Sequence, residues 1–287
     1  GARYSYEEKD FAYRVLSGGT DVGGEAAKAS WRAWTPKVGI QYDVSEDVMA
    51  YASITRGFKS GGFQLGDGRP FRPEYIWSYE GGVKSMFWDR RVRANLSVFY
   101  YDYTDLQVVE YINGVATTTN AGKATLKGGE LEVTVRPVRG LDLNATAAYL
   151  DAEYDRFFDN GVSLAGNTLP NAPRWNFTGA AQYRWEFVDG HSLTLRGDIA
   201  WRDRVQFKPN NLRQFSGEPY TLLNARATFA TAGDVWGVAV FGRNLTDERY
   251  ATYKTVGTDA TGVSNPALSL AVYGEPRQYG VQLVRRF

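Results

Sequence analysis

The stretch Trp175-Asn176-Phe177-Thr178-Gly179-Ala180-Ala181-Gln182-Tyr183-Arg184-Trp185-Glu186-Phe187, followed by Val188-Asp189-Gly190, decides how the rest of the chain is read. Its odd positions (Trp175, Phe177, Gly179, Ala181, Tyr183, Trp185, Phe187) are apolar or small, and its even positions are largely polar. Side chains of an extended chain alternate between two faces, so the stretch is a strand with one apolar and one wet face. Asp189 and Gly190 end it in a tight turn.

Working outward, the same period recurs. Val92, Ala94, Leu96, Val98 and Tyr100 oppose Arg93, Asn95, Ser97 and Tyr101; Leu131, Val133 and Val135 oppose Glu130, Glu132, Thr134 and Arg136; Leu193, Leu195, Ile199 and Trp201 oppose Thr194, Arg196, Asp198 and Arg202. Twelve strands are expected, near 3–16, 30–44, 47–59, 74–88, 91–104, 124–137, 141–156, 174–187, 191–207, 219–231, 235–247 and 276–287. The facing of 235–247 does not follow from its pattern, because Val238, Val240 and Phe241 do not alternate.

The connections alternate between short ones (Ser45-Glu46-Asp47, Asp89-Arg90, Val138-Arg139-Gly140, Val188-Asp189-Gly190, Ala232-Gly233-Asp234) and long ones, near 17–29, 60–73, 105–123, 157–173, 208–218 and 248–275. Tight turns at one end and long polar loops at the other describe an all-β, antiparallel up-and-down transmembrane β-barrel with short periplasmic turns and long extracellular loops. A soluble sandwich has no reason to sort its loops this way. Gly1 and Phe287 are both expected at the short-turn end. The last strand, Tyr279 to Phe287, puts Tyr279, Val281, Leu283 and Phe287 in one register and has no local strand left to pair with.

Composition narrows the function. Thirty-three basic and 32 acidic residues leave a net charge of +1, which offers no footprint for nucleic acid. No Cys and one His, His191 in a turn, remove thiolate metal sites and most triad chemistry, so an enzyme is not expected. A mean hydropathy of −0.40 does not argue against a membrane, since a barrel exposes only alternate residues to lipid. Asp151, Glu153 and Asp155 share a strand face; a solvated strand end is a better reading for them than a cation site.

Four stretches then stand out together: Tyr51 to Phe63, with Arg56-Gly57-Phe58-Lys59-Ser60-Gly61-Gly62; Pro73-Glu74-Tyr75 running into Ser78-Tyr79-Glu80-Gly81-Gly82-Val83-Lys84; Asn244-Leu245-Thr246-Asp247-Glu248-Arg249-Tyr250; and the terminal Phe287. In this order they resemble the C-terminal part of the barrel of TonB-dependent outer-membrane receptors, siderophore-receptor-like members above all. The resemblance implies about half of a barrel of about 22 strands, with the plug domain, TonB box, signal peptide and first strands absent from 1–287. It implies a fragment of a receptor for TonB-dependent uptake of an iron-siderophore or a similar scarce solute, with no cofactor. Its partners would be outer-membrane lipid, the ferric siderophore, the TonB–ExbB–ExbD complex by way of the missing plug, and the barrel assembly machinery, for which Tyr279 and Phe287 resemble the terminal signal.

The ligand-binding residues expected at the extracellular rim are Arg56, Phe58, Lys59, Phe63, Arg69 and Arg72, cationic and aromatic groups suited to an anionic chelate. For Arg56 and Lys59 the competing reading is a strand anchored at the lipid headgroups. Arg184, Arg196, Arg202, Glu130 and Glu132 are expected to line a polar lumen, and Asn244 to Tyr250 to be a turn rather than a ligand contact. The alternative function is a self-contained twelve-stranded porin. The isolated chain is expected to insert poorly or to form an open sheet with an exposed edge, because its first strand lacks its native neighbour.

Overall fold

The computed structural model describes residues 1–64, 68–112, 115–120, 122–159, 161–258 and 264–286. Twelve strands form one antiparallel sheet in chain order: β1 (Ala2–Ser17), β2 (Thr20–Ser45), β3 (Val48–Lys59), β4 (Glu74–Phe87), β5 (Val92–Thr104), β6 (Lys123–Val135), β7 (Leu141–Arg156), β8 (Trp175–Glu186), β9 (Ser192–Arg202), β10 (Tyr220–Ala230), β11 (Trp236–Arg243) and β12 (Gln278–Arg285). Among the described residues β1 pairs only with β2 and β12 only with β11, so the meander stays open at both edges.

The expected strands are present, with three differences in extent. Residues 20–29 are not a loop: β1 and β2 pair continuously up to Ser17 opposite Thr20, around Gly18 and Gly19 at φ +57° and +83°. Asp21, Gly23 and Gly24 read as loop by composition, yet they pair across the hairpin with Leu16, Val15 and Arg14, and the ladder absorbs a bulge between Val15 and Leu16. β9 ends at Arg202 rather than 207, because Val205–Gln206 leaves to pair with Ser216–Gly217. β11 ends at Arg243, where Asn244 turns the chain at φ +48°.

Arg285 sits opposite Trp236, so β12 finishes at the turn end as expected. Gly1 does not begin there. Its ammonium donates to the Lys37 carbonyl (2.8 Å), eight positions of β2 before the turn at Ser45. Among the described residues β2 from Val38 to Val44 pairs only with β3, and Val38, Ile40, Tyr42 and Val44 are exposed.

Register makes each face a set of cross-strand rows. Leu141, Tyr183, Leu195, Ala227, Val240 and Val281 lie side by side on the outer face. Tyr51, Gly82, Ser97, Glu130, Ala148, Asn176 and Arg202 lie side by side on the inner face. The outer row is apolar and open; the inner one is polar. Trp175 and Trp185 bound the apolar band of β8, ten residues apart, roughly 33 Å along the strand. At a strand tilt of about 40° this is about 25 Å in height, the thickness such a band needs.

The register also settles β11. Val238 and Val240 face outward, and Phe241 turns to the inner face, where its ring lies over Gly280 directly opposite. Tyr51 covers Gly82 and Phe99 covers Gly128 in the same way; a Cβ at either glycine would meet the ring at 2.6 and 2.8 Å. Each glycine seats an aromatic ring of the neighbouring strand, and this pins the register.

Candidate functional site

The tight hairpin at Gly18 and Gly19 and the five long connections lie at one end of the sheet, and each of the five carries a two-stranded piece of its own: Gly62–Phe63 with Pro70–Phe71, Gln107–Ile112 with Val115–Asn120, Phe158–Asp159 with Val162–Ser163, Val205–Gln206 with Ser216–Gly217, and Ala251–Thr258 with Ser264–Tyr273. The connections interlock in neighbouring groups.

In the first group the loop after β3 folds against the β1–β2 hairpin. Lys9 Nζ donates to the Gly61 carbonyl (2.8 Å), and Phe63 stacks on Phe11 (5.4 Å) and meets Trp31 edge-on (5.9 Å). Gln64 pairs with the backbone of Thr118, accepting from its N–H at 2.8 Å and donating to its carbonyl. Asn120 accepts from Arg72 N (2.9 Å) and donates to the Arg72 and Asp105 carbonyls (2.9 Å each). Gln107 Nε2 donates to the Ser60 and Arg72 carbonyls (3.0 Å each).

The second group has a small core of its own. Ala124, Tyr154, Phe157 and Leu164 are buried together, with Tyr103, Leu106 and Leu169 packed against them. Asn211 then clamps the next loop, accepting from Thr168 N (2.7 Å) and donating to the Thr168 carbonyl (2.8 Å). Lys208 donates to the Tyr253 hydroxyl (3.0 Å), and this bond holds the Tyr253 phenol below its ordinary range. Burial pushes the Tyr250 phenol the other way as it stacks on Tyr220.

The final connection hangs on Asn244, which is 5% exposed. Its side chain donates to the Glu248 and Glu275 carbonyls (2.9 and 3.1 Å) and accepts from Glu248 N (2.8 Å), closing both ends of the last loop on one amide. Asp247 accepts from Arg277 N (3.0 Å). Asn244 to Tyr250 is the turn its composition suggests, with no side chain left over for a ligand at Asn244.

The six rim residues divide. Lys59 is exposed at the head of β3 opposite Glu74, and Phe63, Arg69 and Arg72 lie in the loop that follows, with Arg72 paired to Asp105 at 2.7 Å. Arg56 and Phe58 share the outward face with Ile54: the Arg56 guanidinium lies 4.6 Å over the Tyr75 ring and 5.8 Å from Trp77, and Phe58 stacks beside Tyr75 (6.4 Å). The residues that lock the loops, Gln64, Asn120 and Asn211, gave no signal in sequence, because an amide's partners are set by the meeting of distant loops.

Below the loops, the inner face carries Arg184, Arg196, Arg202, Glu130 and Glu132 together, as the alternation requires. Both halves of this face are of mixed charge: Glu80, Lys84, Arg93, Glu130, Glu132 and Asp142 come from β4 to β7, and Arg184, Arg196, Asp198, Arg202 and Arg226 from β8 to β10. Tyr51 donates to Glu80 (2.7 Å), Asn224 to Asp198 (2.6 Å) and Arg226 to Gln282 (2.6 Å). On the outer face Asp151 pairs with Lys127 (3.3 Å) and Arg174 (3.5 Å), and Asp155 accepts from Thr125 (2.8 Å). His191 sits in its turn, accepting from Ala232 N (3.2 Å) and stacking on Phe229. Tyr279 is exposed on the outer face opposite Gly242; Phe287 lies outside the described residues.

Residues 1–245 match the family model "TonB dependent receptor-like, beta-barrel". The chain is 26% identical over 263 residues to the ferric-pyoverdine M114 receptor PbuA of Pseudomonas sp. (strain M114), covering 85% of this chain and 28% of the relative. It is 26% identical over 265 residues to the pesticin receptor of Yersinia enterocolitica, covering 88% of this chain and 37% of that protein. In fold it matches the ferric yersiniabactin uptake receptor FyuA from Yersinia pestis with a TM-score of 0.81 at 22% identity, over 98% of this chain and 42% of that one. The chain thus spans roughly a quarter to two fifths of the proteins it matches.

Proposed function

The chain belongs to the TonB-dependent receptor-like β-barrel family of the Gram-negative outer membrane, and from that premise we propose that it is the C-terminal part of the barrel of an active uptake receptor for an iron-siderophore or a similar metal chelate. The observation that carries this reading is the pairing of a charged inner wall with interlocked loops at a single end, the extracellular one. Two of the relatives' names support the ligand class: they are receptors for ferric-pyoverdine and ferric yersiniabactin.

In this reading Lys59, Phe63, Arg69 and Arg72 meet the ligand at the rim, where cations attract an anionic chelate and an aromatic ring covers its apolar parts. The lumenal arginines of β8 to β10 continue the attraction inward. TonB and its energising complex would act through a plug outside 1–287, and Tyr279 with Phe287 would present the terminal strand to the assembly machinery.

The test is uptake of iron-55 siderophore complexes by cells producing the full receptor that carries this chain. Uptake is expected to need TonB, and Lys59→Glu with Arg69→Glu to raise half-saturation about tenfold, about 1.4 kcal/mol of ligand binding. Passage of small neutral sugars without TonB, at wild-type rate in the double variant, would instead establish the porin reading.

A further inference from the structure

Two loops of the rim grip each other by side-chain amides, one from each side. Gln64, in the connection between β3 and β4, accepts from Thr118 N (2.8 Å) and donates to the Thr118 carbonyl. Asn120, in the connection between β5 and β6, accepts from Arg72 N (2.9 Å) and donates to the Arg72 carbonyl (2.9 Å). A side-chain amide carries an acceptor and donors side by side, as a backbone unit does, so each one acts as a one-residue strand partner for the other loop. The arrangement is reciprocal: the first loop lends Gln64 to the second, and the second lends Asn120 to the first.

The Asn120 clamp holds more than the backbone of Arg72. Its amide also donates to the Asp105 carbonyl (2.9 Å), and the Asp105 carboxylate takes Arg72 Nη2 at 2.7 Å. One amide therefore fixes the backbone of both partners of the Arg72–Asp105 ion pair. Asp105 stands at φ +54°, a left-handed conformation uncommon for a residue with a side chain, and its own N–H donates to the Gly122 carbonyl (3.0 Å). Gln107 seals the junction, since its Nε2 donates to the Ser60 and Arg72 carbonyls (3.0 Å each). The Arg72 side chain is still 70% exposed, so the pair leaves most of its guanidinium open to solvent.

We propose that Asn120 is a positioning residue for ligand capture: it touches no ligand, and acts through Arg72, which it holds with Asp105 in an anion-binding geometry before the ligand arrives. An exposed ion pair by itself stabilises little, because two long side chains must be ordered to make it. Here the backbones on both sides are already fixed, so the guanidinium has less freedom to lose when an anionic chelate docks. Asn120 thus contributes to affinity and not to the rate of passage. The inference rests on the reading of Arg72 as a ligand contact.

The experiment is uptake by cells producing the full receptor that carries this chain. The probe is the iron-55 complex, among one catecholate, one hydroxamate and one carboxylate siderophore, that the wild type takes up fastest with TonB present. Asn120→Ala is expected to raise half-saturation about fivefold at an unchanged maximal rate, and Arg72→Ala to raise it about tenfold. In Arg72→Ala/Asn120→Ala half-saturation is expected to equal that of Arg72→Ala alone, because nothing is left for Asn120 to position. Asn211→Ala releases a clamp between loops that carry none of Lys59, Phe63, Arg69 and Arg72, and is expected to keep the wild-type half-saturation. Multiplied effects in the double variant overturn the proposal. A lower maximal rate at unchanged half-saturation in Asn120→Ala, or an equal rise in Asn211→Ala, also overturns it, in favour of loop stability alone. Lys59→Glu with Arg69→Glu keeps the two readings apart: unchanged half-saturation there defeats the ligand rim itself, whereas a rise there with none in Arg72→Ala defeats only the role of Asn120.

Discussion

β7 runs from Leu141 at the turn end to Arg156 at the loop end, and its two halves lie in different solvents. In the lower half the outward residues Leu143, Ala145 and Ala147 belong to the lipid-facing rows, and the strand is held by ladders to β6 and β8. In the upper half Ala152 and Tyr154 are buried at 1 and 2% exposure, under Phe157, Leu164 and Ala124. The wall wears its apolar residues outside and is stabilised by backbone pairing, because lipid accepts apolar groups but no unpaired N–H or C=O. The loop end is in water and builds an ordinary core. One strand therefore obeys both rules, changing over within about four residues.

The contrast breaks most sharply at Tyr154. Tyr154→Ala empties the centre of the loop core and is expected to cost that core about 3–5 kcal/mol, exposing 157–173 to trypsin while the wall keeps its heat-modifiable mobility. Concerted loss of both would show that the loop core and the wall are one cooperative unit. Leu195→Arg is the complementary change. It puts a charge on the outer row between Tyr183 and Ala227 and is expected to destabilise the wall by about 2–4 kcal/mol, read by urea titration in vesicles, with the loop core unaffected. Equal destabilisation in the loop core would sink the idea of two regimes.

These regimes also explain how far the sequence could be read. Trp175 to Phe187 alternates cleanly because lipid on one side and a polar lumen on the other enforce period two at every position. Above the membrane that enforcement stops. Residues 20–29 sit in a hairpin with water on both sides, so Gly23, Gly24 and Ala26 carry no strand signature although each is paired with β1. Phe241 hides its facing for another reason, since an inward aromatic is tolerated only where Gly280 leaves room for the ring. At the rim, residue type singled out Arg56, Phe58, Lys59, Phe63, Arg69 and Arg72, but the side each one takes depends on parity along β3: Arg56 and Phe58 share the outward parity of Ile54, and Lys59 does not.

Asn244 lies on the boundary between the two regimes, at the end of a wall strand and the start of a loop. Asn244→Ala removes three side-chain hydrogen bonds and asks an alanine to hold φ +48°; the expected cost is about 1–3 kcal/mol. Hydrogen exchange at the Glu248 amide is expected to rise while amides in the middle of β11 stay protected. Unchanged exchange at Glu248 would mean that the loop is closed by its own hairpin, 251–273, and not by Asn244.

The smallest effect belongs to the exposed charges of the β1–β2 hairpin, and there the sign is firmer than the size. The Glu8 carboxylate is held below its ordinary value of 4.5, first by the Lys28 ammonium and then by the Tyr6 hydroxyl. A carboxyl depressed on folding contributes stability that is fully present above its ordinary pKa and is lost as pH falls through the lowered value. Hairpin amides from Glu8 to Lys28 are therefore expected to be protected equally at pH 6 and 7. Below about pH 4 the protection should fall by more than the intrinsic change in exchange chemistry, and Glu8→Gln should remove that extra fall. Both groups are solvent-exposed, so salt should shrink the difference as well. A salt-insensitive fall that survives Glu8→Gln would place the acid response elsewhere, in the loops that lean on this hairpin through Lys9 and Phe63.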